Sequence, residues 1–429
     1  MRRFLVVCMC MCIWSGITFA SEDHGEAGIT LETAVKKGLQ RAASYQNQIL
    51  DEKTMELGKK TARMKKYFSA DSSASYLFKS EQMEISFPGM SAKAGAKHNY
   101  DVNIAVKQPL YTGNILTQSV KGEDLQLAIA QNRTRVEAID TAAEIKTSYF
   151  NFHLLLDKKK SLDTLIRQLN IHLKKIEDFY KEDLVRKTDL LETRRKIREQ
   201  EINVLELDHL IASEKLRFEK LCGLDIETVV PGCTEKVGDL QESLEMFKKS
   251  HPVLITLDHR IALVANREKI VKGQYLPQVA GFAELHYGRP GIDFFKNQWQ
   301  LYFQGGLSFS LKLFDWNKKK RDLKVLGYEE QKVINQKDDF IREAEKGLKQ
   351  LYEYRQSIEK KMAVLDELVS LAEEDVLLKA ELYKEQQVSN VDYLDALTIS
   401  ERYLSMKDEL KMQRELVHVG INKLIGKNF

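Results

Sequence analysis

The chain carries one layout twice. Residues from Gln108 to Gly223 recur from Leu311 to Gly426 in a register of 203 residues that needs no gap. Tyr111 falls on Phe314, Asn114 on Asn317, Tyr149 on Tyr352, Leu162-Asp163 on Leu365-Asp366 and Leu165 on Leu368. Further along, Tyr180-Lys181-Glu182 falls on Tyr383-Lys384-Glu385, Val185 on Val388, Asp189 on Asp392, Leu191 on Leu394, and Leu221 and Gly223 on Leu424 and Gly426. A register held over so long a span is hard to obtain by chance in biased helical sequence. It marks a tandem duplication.

Upstream of each copy lies a helical stretch. Thr30-Leu31-Glu32-Thr33-Ala34 opens an amphipathic helix that reads through Ile49, Met55 and Met64 to Tyr67-Phe68, and its copy runs from Leu240 past His251-Pro252 to Tyr275-Leu276-Pro277. The expected register here is 208, with Leu39 on Phe247, Ile49 on Leu257 and Tyr67 on Tyr275. The length difference must then fall in residues 69–108 and 277–311, where the helical pattern stops.

In that region the period becomes two. Tyr100, Val102, Ile104 and Val106 share one face, with Asp101, Asn103, Ala105 and Lys107 on the other. From Trp299 to Leu313, Trp299, Leu301, Phe303, Leu307, Phe309, Leu311 and Leu313 alternate with polar residues; Val279 to Tyr287 alternates more weakly, with Glu284 and His286 on the polar face, and Ser69 to Phe78 is weakest. Each copy is expected to supply two strands joined by a loop, Lys79 to Lys97 with Pro88-Gly89 and Gly288 to Asn297 with Arg289-Pro290-Gly291. Such strands suit a transmembrane barrel, in which every backbone group must be paired inside lipid. A water-soluble sheet with one wet face shows the same alternation, so the pattern alone leaves both open. Four strands cannot close a membrane barrel, whose smallest single-chain form has about eight. A barrel would be shared by several chains, with Asp101, Asn103, Lys107, Glu284 and His286 facing its lumen.

Gly113 to Tyr180 has no proline and, past Gly113, only Gly122, so it predicts one helix about 100 Å long at about 1.5 Å per residue. Heptad steps run through Leu155, Leu162, Leu169 and Ile176, and through the return arms as Ile197, Val204, Ile211, Phe218 and Tyr403, Leu410, Val417, Leu424. The far turns, Tyr180 to Thr188 and Tyr383 to Asn390, are each followed by a pair of acids on one helix face, Asp189/Glu192 and Asp392/Asp395. Acids in a first turn suit the macrodipole, with Thr188 and Asn390 as expected N-caps. The other reading is a ring: several chains around an axis would turn one inward acid each into a cation-favouring constriction.

The opening residues read as an export leader over 1–20. Arg2-Arg3 precede a mostly apolar run to Phe19, and Thr18-Phe19-Ala20 offers a cleavage site before Ser21. A membrane anchor is the alternative; the run is short for one. The domain layout expected is a first repeat over 21–223, a linker over 224–239 and a second repeat over 240–429. The chain holds 66 basic and 63 acidic residues, two of the basic ones in the leader, so the mature protein is essentially neutral and shows no nucleic-acid surface. Of the five cysteines, Cys222 and Cys233 lie past the leader; they could close a short disulfide loop around Val230-Pro231-Gly232 or stay as two thiols. No GxSxG, HExxH, P-loop or GxGxxG context is present, no Cys/His set has metal spacing, and no cofactor is expected.

The ordered series of leader, strand pair, Gln108-Pro109-Leu110-Tyr111-Thr112-Gly113, long helix, Tyr-containing turn and return helix ending in Leu221-Cys222-Gly223, then the whole again to Leu424-Ile425-Gly426, resembles the TolC-like outer membrane efflux proteins. The resemblance covers essentially the whole mature chain. It implies a mainly α fold with a membrane β-barrel: a homotrimer whose long helical hairpins form an α-barrel tunnel in the periplasm, each chain giving four strands to one twelve-stranded barrel in the outer membrane. The implied role is the passive exit duct of a tripartite efflux pump or type I secretion system, opened at its periplasmic tip by a periplasmic adaptor and an inner membrane transporter. Tyr383, Asp392 and Asp395 match the family's gate segment, with Asp189 and Glu192 at the equivalent place in the first copy; Tyr180, Lys181, Glu182, Lys384, Glu385, Val388 and Ser389 would meet the adaptor. Two positions depart from the pattern: Gln386 stands where a glycine is common, and Val388 where some members carry a latching arginine.

Two competing readings remain. A periplasmic or secreted coiled-coil scaffold with a soluble strand cap would need no detergent and would not conduct. An adaptor also carries a long helical hairpin, but one between compact β-domains rather than two.

Overall fold

The structure is a computed structural model that describes residues 29–229, 237–293 and 295–427. The leader over 1–20 and Cys233, with the disulfide it could form, lie outside the described residues. Each repeat begins with two helices, α1 (Leu31–Arg41) and α2 (Ala43–Met64) in the first. Next come strand β1 (Ser69–Phe78), the small hairpin β2 (Met83–Phe87) and β3 (Met90–Ala94), and strand β4 (His98–Thr112). Two long helices follow, α3 (Ile115–Lys181) and α4 (Lys187–Cys222). The second repeat runs α5 (Leu240–Ser250), α6 (Pro252–Gly273), β5 (Gln278–Arg289), β6 (Gln300–Ser310), α7 (Lys318–Lys384) and α8 (Asn390–Ile425).

The duplication holds residue for residue. α3 and α7 are both 67 residues long and α4 and α8 both 36, each pair 203 residues apart. The upstream register is corrected from 208 to 209: α1 and α5 are both 11 residues, α2 and α6 both 22, and Ala42 corresponds to His251. Phe247 therefore takes the place of Gly38, not of Leu39; both are buried on the inner side of their helix.

The single amphipathic helix expected in each repeat is two helices. Ala42 and His251 are both extended, at ψ 110 and 123. In the second repeat Pro252 drives the residue before it out of the helical region. Ala43 replaces that proline in the first repeat, yet the break persists because α1 packs across both α3 and α4 while α2 runs along α3. Leu31, Ala34 and Val35 bury against Ala142, Ile145, Tyr149 and Phe218 in one cluster. A matching cluster forms around Phe247, Leu254, Leu348, Val417 and Ile421. These two cores make a thickened belt midway along the long helices. Every residue of the expected heptads is buried or half-buried.

The four long strands form one antiparallel sheet in the order β1-β4-β5-β6, so β4 and β5 join the two repeats. The stretch expected as a loop from Lys79 to Lys97 contains the β2–β3 hairpin, turning at Gly89 with φ +93. Strand β6 ends at Ser310, so Leu311 and Leu313 fall outside it. Pro109 lies in a central strand, a place normally closed to proline, and the register shifts between Pro109 and Tyr111 to accommodate it.

The sheet's faces follow the alternation. Val102, Ile104, Leu285, Tyr287, Leu301, Phe303, Leu307 and Phe309 are exposed on one face, bare among the described residues. The other face gathers Asp101, Glu284, His286 and Gln304: the Asp101 carboxylate lies 3.1 Å from His286 Nδ1, and His286 Nε2 lies 3.4 Å from Glu284 and 2.9 Å from Gln304. Ser73 donates to Asn103 on the same face at 2.8 Å.

Strand passes to helix through two consecutive left-handed residues in each repeat, Gly113-Asn114 (φ +60, +68) and Trp316-Asn317 (φ +53, +60). Only the first pair is crowded: a Cβ on Gly113 would strike the Gly273 carbonyl, while the Trp316 side chain is exposed. Gly113→Ala is expected to cost about 2 kcal/mol through backbone strain and collision, and Trp316→Ala, which adds no collision, less. Denaturant unfolding of the purified variants checks this contrast.

Candidate functional site at the helix tips

The ends of α3 and α7 are built alike. Asp183 N–H donates to Tyr180 O at 3.2 Å and Leu184 N–H to Phe179 O at 2.9 Å; Gln386 N–H donates to Tyr383 O at 3.1 Å and Gln387 N–H to Leu382 O at 2.9 Å. This double bond closes a helix when the residue past its end is left-handed, which usually means glycine. Here Asp183 and Gln386 both take φ +58. The position where glycine is common thus keeps its glycine-like backbone with a long side chain.

The next helices start at Lys187 and Asn390, with N-caps Arg186 and Ser389 rather than Thr188 and Asn390. Ser389 wins because its hydroxyl oxygen accepts from Asp392 N–H at 3.2 Å while the Asp392 carboxylate accepts from Ser389 N–H at 3.1 Å and from its hydroxyl at 2.6 Å. Those bonds hold the Asp392 carboxyl below the usual carboxylate range. Asp189 accepts from Arg186 N–H at 3.1 Å, and Glu192 lies 3.5 Å from Arg195. Asp392 and Asp395 are both exposed on one side of α8, and Asp189 and Glu192 are half-buried.

Freed from capping, Asn390 points inward, and it is 3% exposed. Its side-chain oxygen lies 2.7 Å from His172 Nε2, and its amide donates to Asp189 O and Thr193 Oγ1, both at 3.2 Å. Three helices, α3, α4 and α8, meet in this one node. Tyr393 and Tyr383 pack on the His172 ring at 4.6 and 5.1 Å between centroids, and the layer below is Leu165, Leu169, Ile197, Leu394 and Leu397. The Tyr383 hydroxyl is buried without a hydrogen-bond partner among the described residues; burial, with the Asp189 charge adding, pushes its pKa up to about 12.

The sequence reading missed this clamp. Its signal was present: Leu165, Leu169, His172 and Ile176 follow core spacing, so a polar residue stands at a seam position of α3. The expected gate residue Tyr383 is brought to the clamp, while Asp392, Asp395 and Glu192 stand outside it. Tyr180, Lys181, Glu182, Lys384, Glu385 and Ser389 are exposed around the two tips, and Val388 is half-buried.

Folded chains of this design are known. The outer membrane protein VceC of Vibrio cholerae aligns over 92% of this chain and 96% of its own, with a TM-score of 0.77 at 15% identity. The CmeC outer membrane channel of Campylobacter jejuni aligns over 99% and 94% with a TM-score of 0.74 at 11% identity, and the open-state MtrE outer membrane channel of Neisseria gonorrhoeae over 92% and 88% with 0.74 at 13%. The chain has the TolC-like fold. No protein-family model matches the sequence, and no curated protein sequence matches it significantly. The TolC-like architecture is thus shared at sequence identities of 11–15%.

Two outcomes test the tip. Gln386→Gly relieves a left-handed side chain and should stabilise the α7–α8 turn by about 1 kcal/mol, read from local amide exchange. Burial lowers the His172 pKa below its ordinary 6.5, the Asn390 hydrogen bond opposing it and Lys175 adding to it. The unfolded imidazole therefore binds a proton where the folded one does not, so stability is lost as pH falls through about 6.5. Exchange around residues 165–198, corrected for intrinsic rate, should quicken from pH 7 to 5. His172→Gln should remove that pH-dependent component.

Proposed function

We propose that the chain is the outer membrane exit duct of a tripartite efflux pump or type I secretion system, working as a homotrimer with a periplasmic adaptor and an inner membrane transporter. The observation that carries the reading is the sheet: among the described residues its apolar face is bare and both edges, β1 and β6, are unpaired. A soluble cap would cover that face, since a contiguous apolar patch of this extent is unfavourable in water. Lipid suits it. From Trp299, just before β6, to Phe309 an extended chain spans about 33 Å, which a tilt of about 40° reduces to about 25 Å, the height of a barrel's apolar band. Tyr100, Tyr287 and Trp299 cluster at 5.0 to 5.8 Å at one end, and Tyr67, Phe68, Phe314 and Trp316 are exposed at the other, as two interfacial girdles would be.

The repeat supplies the closure. Within the chain β4 of the first repeat pairs with β5 of the second; the equivalent pairing of β6 is with β1 of another copy. Likewise α3 packs along α6 and α8, while α7 has no comparable packing on α2 or α4 among the described residues. Three copies would give twelve strands, a closed sheet without edges, and the helices beneath would enclose a tunnel ending at the tips. The described residues include no helix long and apolar enough to cross a membrane.

A trimeric mass in detergent, with small cation-selective conductance in a planar bilayer, is the expected result. A protein soluble without detergent that never conducts would favour the scaffold. Asp392→Asn with Asp395→Asn should shift the reversal potential in a salt gradient toward zero; an unchanged potential removes those acids from the constriction. Asn at 392 still accepts the Ser389 bonds, so fold stability should change by less than about 1 kcal/mol.

A further inference from the structure

Both edge strands meet their helices at the same end of the sheet. β1 begins at Ser69, opposite Lys107, and β6 ends at Ser310, opposite Gln278, so pairing β6 of one copy with β1 of the next sets two strand-to-helix corners side by side. Inside the chain the equivalent corners, at β4 and β5, close on each other: a Cβ on Gly113 would strike the Gly273 carbonyl, and one on Gly273 the Gly113 carbonyl. That approach needs glycine on both sides. In the other repeat Trp316 takes the place of Gly113, and Met64 that of Gly273. Neither side chain fits so close a contact, so the corners between copies stand apart where those within a copy touch. The side chains that would line the gap are bare in the chain: Leu313, Phe314 and Trp316 are 87%, 73% and 78% exposed, and Met64 and Tyr67 both 66%.

Positive charge has collected at the same two places. Residues 312–321 hold five bases, Lys312, Lys318, Lys319, Lys320 and Arg321, against one acid, Asp315; the equivalent residues 109–118 hold no charge at all. Arg63, Lys65 and Lys66 end α2, where residues 272–277 offer Lys272 alone. Bases at the end of a helix suit its dipole, but four in succession at the start of α7 oppose it. The acids nearby are already engaged: Asp315 accepts from Tyr275 and from Lys319 N–H, the latter at 2.8 Å, and Asp322 pairs with Lys318 at 2.7 Å. Lys65, Lys66 and Lys320 are exposed and form no ion pair among the described residues. A crevice with an apolar floor and a basic rim, level with an aromatic girdle, has the chemistry of an anionic phospholipid site.

We propose that each seam between copies holds an anionic phospholipid at the helical end of the barrel, its phosphate between Lys320 of one protomer and Lys65 and Lys66 of the partner subunit, its acyl chains against Phe314 and Trp316. The inference rests on the trimeric duct reading. The lipid fills the space that paired glycines close within the chain, and it supplies the anion that the start of α7 lacks.

The test uses the full mature chain, delipidated in neutral detergent. Its mass is measured first, since a monomer removes the duct reading and the site with it. Native mass spectrometry of the trimer with added phosphatidylglycerol should show up to one firmly held lipid per seam, and phosphatidylcholine of the same chains should need several-fold more lipid for equal occupancy. Lys65→Gln with Lys66→Gln, and separately Lys320→Gln, should each lower phosphatidylglycerol occupancy several-fold, whereas Lys79→Gln with Lys97→Gln, at the opposite end of the strands, should leave it unchanged. Trp316→Gly with Met64→Gly restores the glycine corner and should empty the site although every base remains. Trp316→Gly alone, at a left-handed position that glycine prefers, should lower occupancy in part. A trimer that holds the two lipids alike, or that responds equally to the rim and the control substitutions, overturns the anionic site. Occupancy unchanged by both glycine variants overturns the crevice, and displacement by an equal concentration of inorganic phosphate overturns lipid as the ligand.

Discussion

An unpaired backbone N–H or C=O in hydrocarbon costs several kcal/mol, and the rest of this molecule depends on that penalty. The sheet β1-β4-β5-β6 has a lipid-like face and two bare edges, a combination that is stable neither in water nor alone in a bilayer. On the duct reading, copies pair β6 to β1 before the strands enter lipid. Once they do, the helices that continue from the strands are fixed in a ring, because the left-handed turns at Gly113-Asn114 and Trp316-Asn317 join each pair without slack. Closure of the sheet in that reading would dictate the tunnel beneath it.

Much of this was legible in the sequence. The 203-residue register placed α3, α4, α7 and α8 as equal pairs, since long helices without proline tolerate no insertion that would rotate their heptads. The strand faces could be read because a one-residue slip would turn Val102 and Ile104 onto the polar face that holds Asp101 and Asn103. What was not legible depended on tertiary context. The break at Ala42 has no proline to announce it; it exists because α1 must cross two helices that α2 does not. One residue of register was lost there, since Leu39 and Phe247 look alike on a hydrophobicity scale while Gly38 occupies the crowded position against Ile145. The acids at the tips could be found but not apportioned between capping and gating; Ser389 and Asp392 form a capping box that leaves Asn390 free for the clamp.

The clamp itself shows why local pattern is a poor guide to polar cores. His172 stands at a seam position where leucine would pack well, and Asn390 stands where any helix-starting residue would do. Their value is joint. Together with Thr193 and the Asp189 carbonyl they satisfy one another across three helices, which fixes the register of the two hairpins in a way that interchangeable leucines cannot.

A duct has no reaction to catalyse, so its chemistry lies in its joints. Duplication first makes all joints equal, and divergence then makes them unequal in strength. In this chain the joint between the two hairpins holds large aliphatic side chains and a desolvated neutral node, while the repeat-equivalent positions are Ala372, Ser400, Arg194, Asp375 and Lys187. Coulomb attraction between exposed groups is screened within about 8 Å at physiological salt, whereas buried apolar contact is not.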